Sequence, residues 1–187
     1  MTYISKYKGV FMKMTKTIMA GAIAMTLLSF GANAAGQGQV NFKGTVVNSP
    51  CGIASESANQ TIDFGQISSA SLNKGEHSKA QDVEIKLVNC DFNGDTKKAV
   101  TISFSGSAKD TANTELGTTG DTKAVIKMST ATGDFVVFDG QSAAGKYNLK
   151  EGDNTMRYSA WVQKANGADN VQEGEFSAVA NFNLSYQ

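Results

Sequence analysis

Residues 174–187 read GEFSAVANFNLSYQ, and this stretch at the end of the chain decides the fold. Every even position from 176 to 186 carries an apolar side chain: Phe176, Ala178, Ala180, Phe182, Leu184 and Tyr186. Apart from Val179, the odd positions are polar or charged. A period of two residues is typical of a β-strand with one buried face. Such a strand needs partners on both sides, because an open edge is a template for pairing with another chain.

A second alternating segment lies near the other end of the chain. Its apolar face is formed by Val40, Phe42, Gly44 and Val46, and polar residues occupy the positions between them. A glycine in mid-strand usually marks the close approach of another backbone or side chain. The simpler interpretation of 174–187, the final strand of an ordinary β-sandwich, does not account for a matching strand at the opposite terminus.

Residues 1–34 have the pattern of a secretory signal peptide. Lys13 and Lys16 precede an apolar stretch, 18–30, and Ala32-Asn33-Ala34 forms a small-residue cleavage site. The stretch is too short for a membrane-spanning helix, which needs about 20 apolar residues. Cleavage after Ala34 would remove four lysines and no acidic residue, which leaves a net charge of about −4. This balance gives no indication of nucleic-acid binding.

The exported part has the length of one domain and little helical periodicity. Gly, Ser, Thr, Val and Asn are frequent, and Pro50 is the single proline. The alternation predicts an all-β sandwich with many short strands. The predicted strands are 40–46, 60–67, 83–90, 99–104, 124–128, 135–138, 156–162 and 174–187.

Cys51 and Cys90 are the only cysteines, and both lie in the exported part. In an oxidising compartment an even pair indicates a structural disulfide. Closing this loop should stabilise the domain by about 4 kcal/mol on the chain-entropy model. A metal pair or a catalytic thiol has no support, because there is no CxxC motif and His77 is the only histidine.

No pattern of residues predicts an enzyme, a cofactor or a metal site. A Ser-His-Asp constellation cannot be assembled around His77, and no paired carboxylates stand out. One binding function remains open on the residues alone, since Trp161 and Tyr147 could form part of a sugar-binding surface. Alternation places Trp161 on the face opposite Met156 and Tyr158, so a packing or interface role is equally compatible.

The two termini resemble those of subunits of chaperone–usher pili of Gram-negative bacteria, most closely the major pilins of the P-pilus type. The family has a glycine fourteenth from the end and a penultimate tyrosine, here Gly174 and Tyr186. It also has a glycine seven residues before the first cysteine, here Gly44 before Cys51. The resemblance covers essentially the whole exported chain through the stretches 36–51, 62–67, 87–91, 137–140 and 173–187.

The resemblance implies an incomplete immunoglobulin-like β-sandwich that lacks its seventh strand and is completed by donor-strand complementation. Residues 35–47 would be the donor extension and 48–187 the pilin domain. The strand from Gly174 to Tyr186 would accept first a strand of a periplasmic chaperone. At the outer-membrane usher it would then accept the donor extension of the next identical subunit. Tip adaptor and adhesin subunits would be further partners, and the product would be a cell-surface fimbrium.

Length and likeness favour the main shaft subunit, whose copies polymerise head-to-tail. A minor tip or adaptor pilin is the alternative within the family. Outside the family, a secreted sugar-binding β-sandwich remains possible. So does a stand-alone sandwich whose N-terminal segment fills its own groove, although the nearness of the donor segment to Cys51 makes that geometry difficult.

Overall fold

The computed structural model describes residues 38–94 and 98–187. The chain divides after Gly44. Residues 38–44 form no helix or strand, and the side chains of Val40 and Phe42 are exposed. The predicted signal peptide and the first three residues of the predicted donor extension lie outside the described residues. Within the described ranges, no helix is long and apolar enough to cross a membrane.

The regular secondary structure described within 45–187 is nearly all β, as the sequence predicts. The strands are β1 (Gly52–Ile53), β2 (Gln81–Cys90), β3 (Ala99–Gly106), β4 (Leu116–Gly117), β5 (Ala124–Thr130), β6 (Asp139–Asn148), β7 (Gly152–Lys164) and β8 (Ala180–Tyr186). Two short helices, α1 (Ser55–Ala58) and α2 (Ser69–Asn73), lie between β1 and β2. The sequence predicts neither helix, since each is shorter than the window over which helical periodicity can be read.

The strands form two antiparallel sheets. One sheet has five strands in the order β1-β2-β7-β5-β4, and the other has three in the order β6-β3-β8. The long central strands β2 and β7 pair from Gln81↔Ala160 to Cys90↔Gly152. In the smaller sheet, β3 lies between β6 and the terminal strand β8.

The inward faces of the two sheets share one hydrophobic core. Ile85 and Leu87 of β2 and Val100 and Ile102 of β3 are completely buried, at the alternate positions that the sequence pattern predicts. Tyr158 of β7 reaches across this core, and its ring meets that of Phe104 of β3 edge to face at 5.1 Å between centroids. Burial of these alternating side chains is the main term that stabilises the sandwich.

Cys51 and Cys90 form a disulfide, which confirms the expected bond. Their Cα atoms are 4.1 Å apart, and the bond joins the residue before β1 to the last residue of β2. The side-chain amide of Asn154 donates to Cys90 Sγ at 3.3 Å. The covalent link therefore fixes the start of the domain to a central pair of strands.

The predicted strand 135–138 is wrong. Val136 and Phe138 are buried, so the apolar alternation is real. Their backbone N–H groups, however, donate to different places, Val136 to Met128 O at 2.9 Å and Phe138 to Asn113 O at 2.7 Å. Since the two partners belong to separate segments, no ladder forms along 135–138.

Candidate functional site at the open edge of the last strand

The terminal strand β8 is paired on one side only. It pairs with β3 without any register shift, from Val100↔Tyr186 to Gly106↔Ala180. Among the described residues no strand pairs with its other side. The chain therefore ends in a regular strand with an open edge.

The direction of the unpaired backbone groups follows from the ladder. Ala99 and Gln187 exchange both of their backbone hydrogen bonds, at 3.1 and 2.9 Å. In an antiparallel pair, hydrogen-bonded and non-hydrogen-bonded residue pairs alternate. The odd residues of β8 consequently bond to β3, whereas the N–H and C=O groups of Ala180, Phe182, Leu184 and Tyr186 point towards the open edge.

The same even residues point their side chains towards the core but are only half-buried. They pack against the buried cluster without being covered by it. The ring of Phe182 lies 6.4 Å from that of Phe104, and burial raises the pKa of the Tyr186 hydroxyl, an effect that the Ser49 hydroxyl partly opposes. The open edge thus combines unsatisfied backbone groups with apolar side chains that lack a cover.

Regular strand structure starts later than the sequence predicts. The predicted strand runs from Gly174, but β8 begins at Ala180. Residues 174–179 instead run along the β4–β5 connection, where Thr119 N donates to Ser177 O at 2.7 Å. Gly174 has φ +149°, a conformation that favours glycine. We call 174–186, the irregular half together with β8, the acceptor segment.

Residues 60–67, predicted as a strand, form no ladder in the described part of the chain. Their burial still alternates, because Ile62, Phe64 and Ile67 are half-buried against the core while the residues between them are exposed. The side chain of Asp63 accepts the N–H of Gly65 at 2.7 Å, which forms a local turn. The pattern of a strand is present, and what is missing is a neighbouring strand.

A cavity of about 910 Å³ separates the 62–69 segment from the upstream half of the acceptor segment. Its walls include the apolar side chains of Ile62, Phe64, Leu72 and Phe176 and the backbone at Gly174. Two edges that alternate like strands therefore face a shared opening. The residues that line this cavity do not include any of β8, so an added strand would have to run from the cavity along β8 to satisfy its backbone groups and cover its apolar side chains.

The remaining sheet edges are protected against such an addition. On the outer side of β2, Ser57 of α1 occupies the place of a strand partner, because its hydroxyl accepts from Lys86 N at 3.0 Å and donates to Glu84 O at 3.3 Å. Gln60 Nε2 also donates to Glu84 O at 3.2 Å. Ser57 is buried, so the edge of β2 is closed by side chains at Glu84 and Lys86.

The edges at β4 and β6 are blocked in other ways. Residues 107–109 cover β4, with Gly117 N donating to Ser107 O at 2.7 Å. Strand β6 is irregular, since its register with β3 shifts on either side of Ser103 and Gly145 adopts φ +112°. Irregular edges pair poorly with another strand. Of the edges described, only that of β8 is long, regular and open.

The predicted donor residues are not buried in this structure. Val40 is 74% exposed, Phe42 is 91% exposed and Val46 is fully exposed. No neighbouring atom lies within 4 Å of the position where Gly44 would carry a Cβ. Exposed apolar side chains at alternate positions are what a strand has before it finds a partner.

Trp161 and Tyr147 do not share a surface. Trp161 lies on the outer face of the five-stranded sheet, near the rings of His77 and Phe135 at 5.8 and 6.1 Å. Tyr147 packs towards the core beside Tyr158, with centroids 6.4 Å apart. The sugar-binding surface that would combine these two residues is therefore not assembled.

Comparison with known proteins agrees with this geometry. The family model for Fimbrial protein matches residues 40–187. The chain is 50% identical to KS71A fimbrillin of Escherichia coli over 187 residues, which cover 93% of this chain and all of the relative. It is 46% identical to the Pap fimbrial major pilin protein of E. coli, with the same coverage. The chain belongs to the fimbrial protein family.

A solved chaperone–usher pilus, whose structure was used to explain rod uncoiling, has a similar subunit. The two are 46% identical with a TM-score of 0.75, over 82% of this chain and 97% of the other. The predicted fold class, an immunoglobulin-like sandwich that lacks one strand, is confirmed. The predicted role as the major structural subunit of a fimbria is confirmed as well.

Proposed function

We propose that this chain forms the shaft of a chaperone–usher pilus by donor-strand exchange, with residues 35–47 of one copy filling the opening beside the acceptor segment of another. Val40, Phe42, Gly44 and Val46 form the face of the donor that enters. In an antiparallel arrangement they lie directly opposite even residues of β8, because opposed residues in a sheet point to the same face. The backbone of the donor satisfies the groups on the open edge of β8.

The observation that carries the proposal is the open edge of β8. It is regular over its whole length with β3, and its even residues present both unpaired backbone groups and half-buried apolar side chains. A lone subunit with this edge exposes part of its core, so it is prone to aggregate. A partner strand would pair the open backbone groups and cover the apolar side chains at the same time.

Each copy carries one donor and one opening, and different residues form them. The contact is therefore head-to-tail, and repetition produces an open filament instead of a closed ring. The partners are identical subunits along the shaft and tip adaptor or adhesin subunits at its end. Because the segment that donates and the surface that accepts are separate, every added copy restores a free site of the same kind.

A subunit on its way to the filament needs temporary cover for its open edge. We assign that role to a periplasmic pilus chaperone, which lends a strand to the acceptor segment after residues 1–34 direct export. The outer-membrane usher is the place where the donor of the next subunit replaces the chaperone strand. This order keeps the edge covered from export to incorporation.

Deletion of residues 35–47 from the mature chain tests the proposal. The truncated chain is expressed in the periplasm with and without a P-pilus chaperone, and the species formed are separated by size-exclusion chromatography. We expect recovery only as a one-to-one complex with the chaperone. A synthetic peptide of residues 35–47 should then convert that complex into a stable, monomeric subunit–peptide complex.

A peptide of the same composition in which the apolar residues no longer alternate serves as the control, and it should not displace the chaperone. A truncated chain that is well folded and monomeric by itself would show that the domain needs no added strand. That outcome would overturn the proposal and favour a self-contained binding module.

A further inference from the structure

We propose that Thr119 is a positioning residue for strand exchange, which holds the irregular upstream half of the acceptor segment in the conformation that receives a donor. The inference rests on the proposed function and assigns a role within the same site. Thr119 lies in the connection between β4 and β5, in the five-stranded sheet. The segment that Thr119 holds continues into β8, which belongs to the three-stranded sheet.

We call the contact between Thr119 and the acceptor segment the latch. All of its hydrogen bonds involve Ser177. The backbone N–H of Thr119 donates to Ser177 O at 2.7 Å. The Thr119 hydroxyl accepts from Ser177 N at 3.2 Å and lies 3.2 Å from Ser177 O and 2.8 Å from Ser177 Oγ. One threonine therefore satisfies both backbone groups of Ser177, as a paired strand residue would.

Neighbouring contacts keep the two segments close on either side of this pair. Gln172 N donates to Thr122 O at 2.8 Å. At Gly120 a Cβ atom would lie 2.7 Å from Glu175 O, so only glycine allows the approach, and its φ of +80° favours glycine as well. The β4–β5 connection is thus shaped to fit residues 172–177.

The latch decides which way the neighbouring backbone groups point. In an extended segment, successive residues direct their N–H and C=O groups to opposite sides. Because both backbone groups of Ser177 bond to Thr119, an extended backbone at this point would direct the groups of Phe176 and Ala178 away from Thr119. Phe176 and Ala178 are even-numbered, like the residues of β8 whose backbone groups are unpaired. The open edge therefore continues upstream of Ala180, where the regular strand begins.

Phe176 and Gly174 also line the cavity between the acceptor segment and residues 62–69. With the hydroxyl removed, Ser177 N loses its partner and the upstream half is no longer held in register. The downstream half, which is bonded to β3, is unaffected. A donor would then meet an edge of which only one half is preformed, and the exchange would slow.

The test uses the full mature chain, purified as its complex with a P-pilus chaperone, in wild-type form and as Thr119→Val. An excess of synthetic 35–47 peptide is added, and the rate of formation of the subunit–peptide complex is followed by native mass spectrometry. Valine keeps the shape of threonine without the hydroxyl. We expect the exchange to be about tenfold slower, the equivalent of roughly one strong hydrogen bond.

Thr118→Val is the matched control. The Thr118 hydroxyl donates to Ala124 O at 2.8 Å, within the five-stranded sheet, and not to the acceptor segment. This variant should exchange at the wild-type rate, and Thr119→Ser should restore that rate because serine keeps the hydroxyl. If Thr119→Val yields too little complex, Ser177→Ala removes only the contact between the two hydroxyls and should slow exchange about twofold.

The outcomes separate the two proposals. Exchange of Thr119→Val at the wild-type rate would overturn the latch and leave donor-strand exchange in place. Equal slowing in Thr118→Val and Thr119→Val would also overturn it, because the effect would then belong to the loop as a whole. Failure of the peptide to bind the wild-type subunit would instead overturn the proposed function.

Discussion

The hydroxyl of Tyr158 on β7 donates a hydrogen bond of 2.9 Å to the carbonyl oxygen of Ala144 on β6, and the bond joins the two sheets through the core. Both residues are buried, so water cannot replace the donor. We expect Tyr158→Phe to lower the free energy of unfolding by about 1–3 kcal/mol, because Ala144 O is left unsatisfied. Urea unfolding of the peptide-complemented subunit measures this loss, with Ser159→Ala on the outer face as the control. An unchanged stability would mean that the bond has no net effect.

The same tyrosine makes stability depend on alkaline pH. Burial, with a smaller effect of the neighbouring Tyr147, raises the pKa of Tyr158 far above its ordinary value of 10.0. Its contribution is complete below the unfolded-state pKa and is lost as the pH rises towards the folded-state value, because only the unfolded chain releases the proton. Above about pH 10 the stability of the wild type should fall more steeply than that of Tyr158→Phe, by up to about 1.4 kcal/mol per pH unit. Parallel pH profiles of the two proteins would contradict this prediction.

Proline substitutions test the assigned direction of the backbone groups. Ala180 N points to the open edge and Asn181 N points to β3, as the register and the Ala99–Gln187 pair require. Proline is tolerated in a strand only where its nitrogen needs no partner. Ala180→Pro should therefore keep the pairing with β3 but remove one hydrogen bond from each complex formed at the open edge, with the chaperone strand and with the 35–47 peptide. Asn181→Pro breaks the ladder with β3 and should reduce the yield of subunit more strongly than Ala180→Pro does, and the opposite order would show that the edges are reversed.

A side chain at Gly44 should block assembly without affecting the fold. No atom lies within 4 Å of the place where a Cβ would stand at this position. In the proposed exchange, glycine allows the donor to approach the acceptor closely. We expect Gly44→Leu to be exported and chaperone-bound at normal levels but to form few filaments, as counted by electron microscopy. Lys43→Leu, on the opposite face of the donor, is the control that should still polymerise.

Loss of the disulfide should lower the amount of subunit. Cys51 and Cys90 close a loop with a sequence separation of 39, which stabilises by about 4 kcal/mol on the chain-entropy model. We expect Cys51→Ser and Cys90→Ser each to reduce the periplasmic level of subunit several-fold, measured by immunoblot. The double variant should be no worse than either single one. Normal levels in all three would count against a stabilising disulfide.

The sequence predicts those features that depend on one segment alone, and it does not predict those that depend on a contact with a distant segment. Alternation in 174–187 identified the inward face of β8, because a period of two is a property of the strand itself. It could not show that Ser177 is held by Thr119, since nothing near Thr119 in the sequence indicates that contact. For 60–67 the alternation is real, but a ladder needs a second strand, and the described part of the chain does not supply one.

Protection of the other edges was not predictable from the sequence. Ser57 closes the edge of β2 from a helix of four residues, and only its burial in the fold distinguishes it from the surrounding serines. Strand β6 pairs with β3 with register shifts, whereas β8 pairs with β3 without one. This difference also arises from how the strands pair, and it cannot be read from the sequence. The sequence therefore predicts which strand is the acceptor, and in the described residues the edge of this strand is the long, regular and open one.

The disulfide has a mechanical consequence under the proposed exchange. The donor extension ends only a few residues before Cys51, so tension along a filament enters each subunit next to this cysteine. Through Cys90 the load passes covalently to the end of β2, which is paired with β7 in the middle of the larger sheet. Pulling on the donor therefore loads the ladder of a central strand pair, and the two-residue strand β1 is not required to resist by itself.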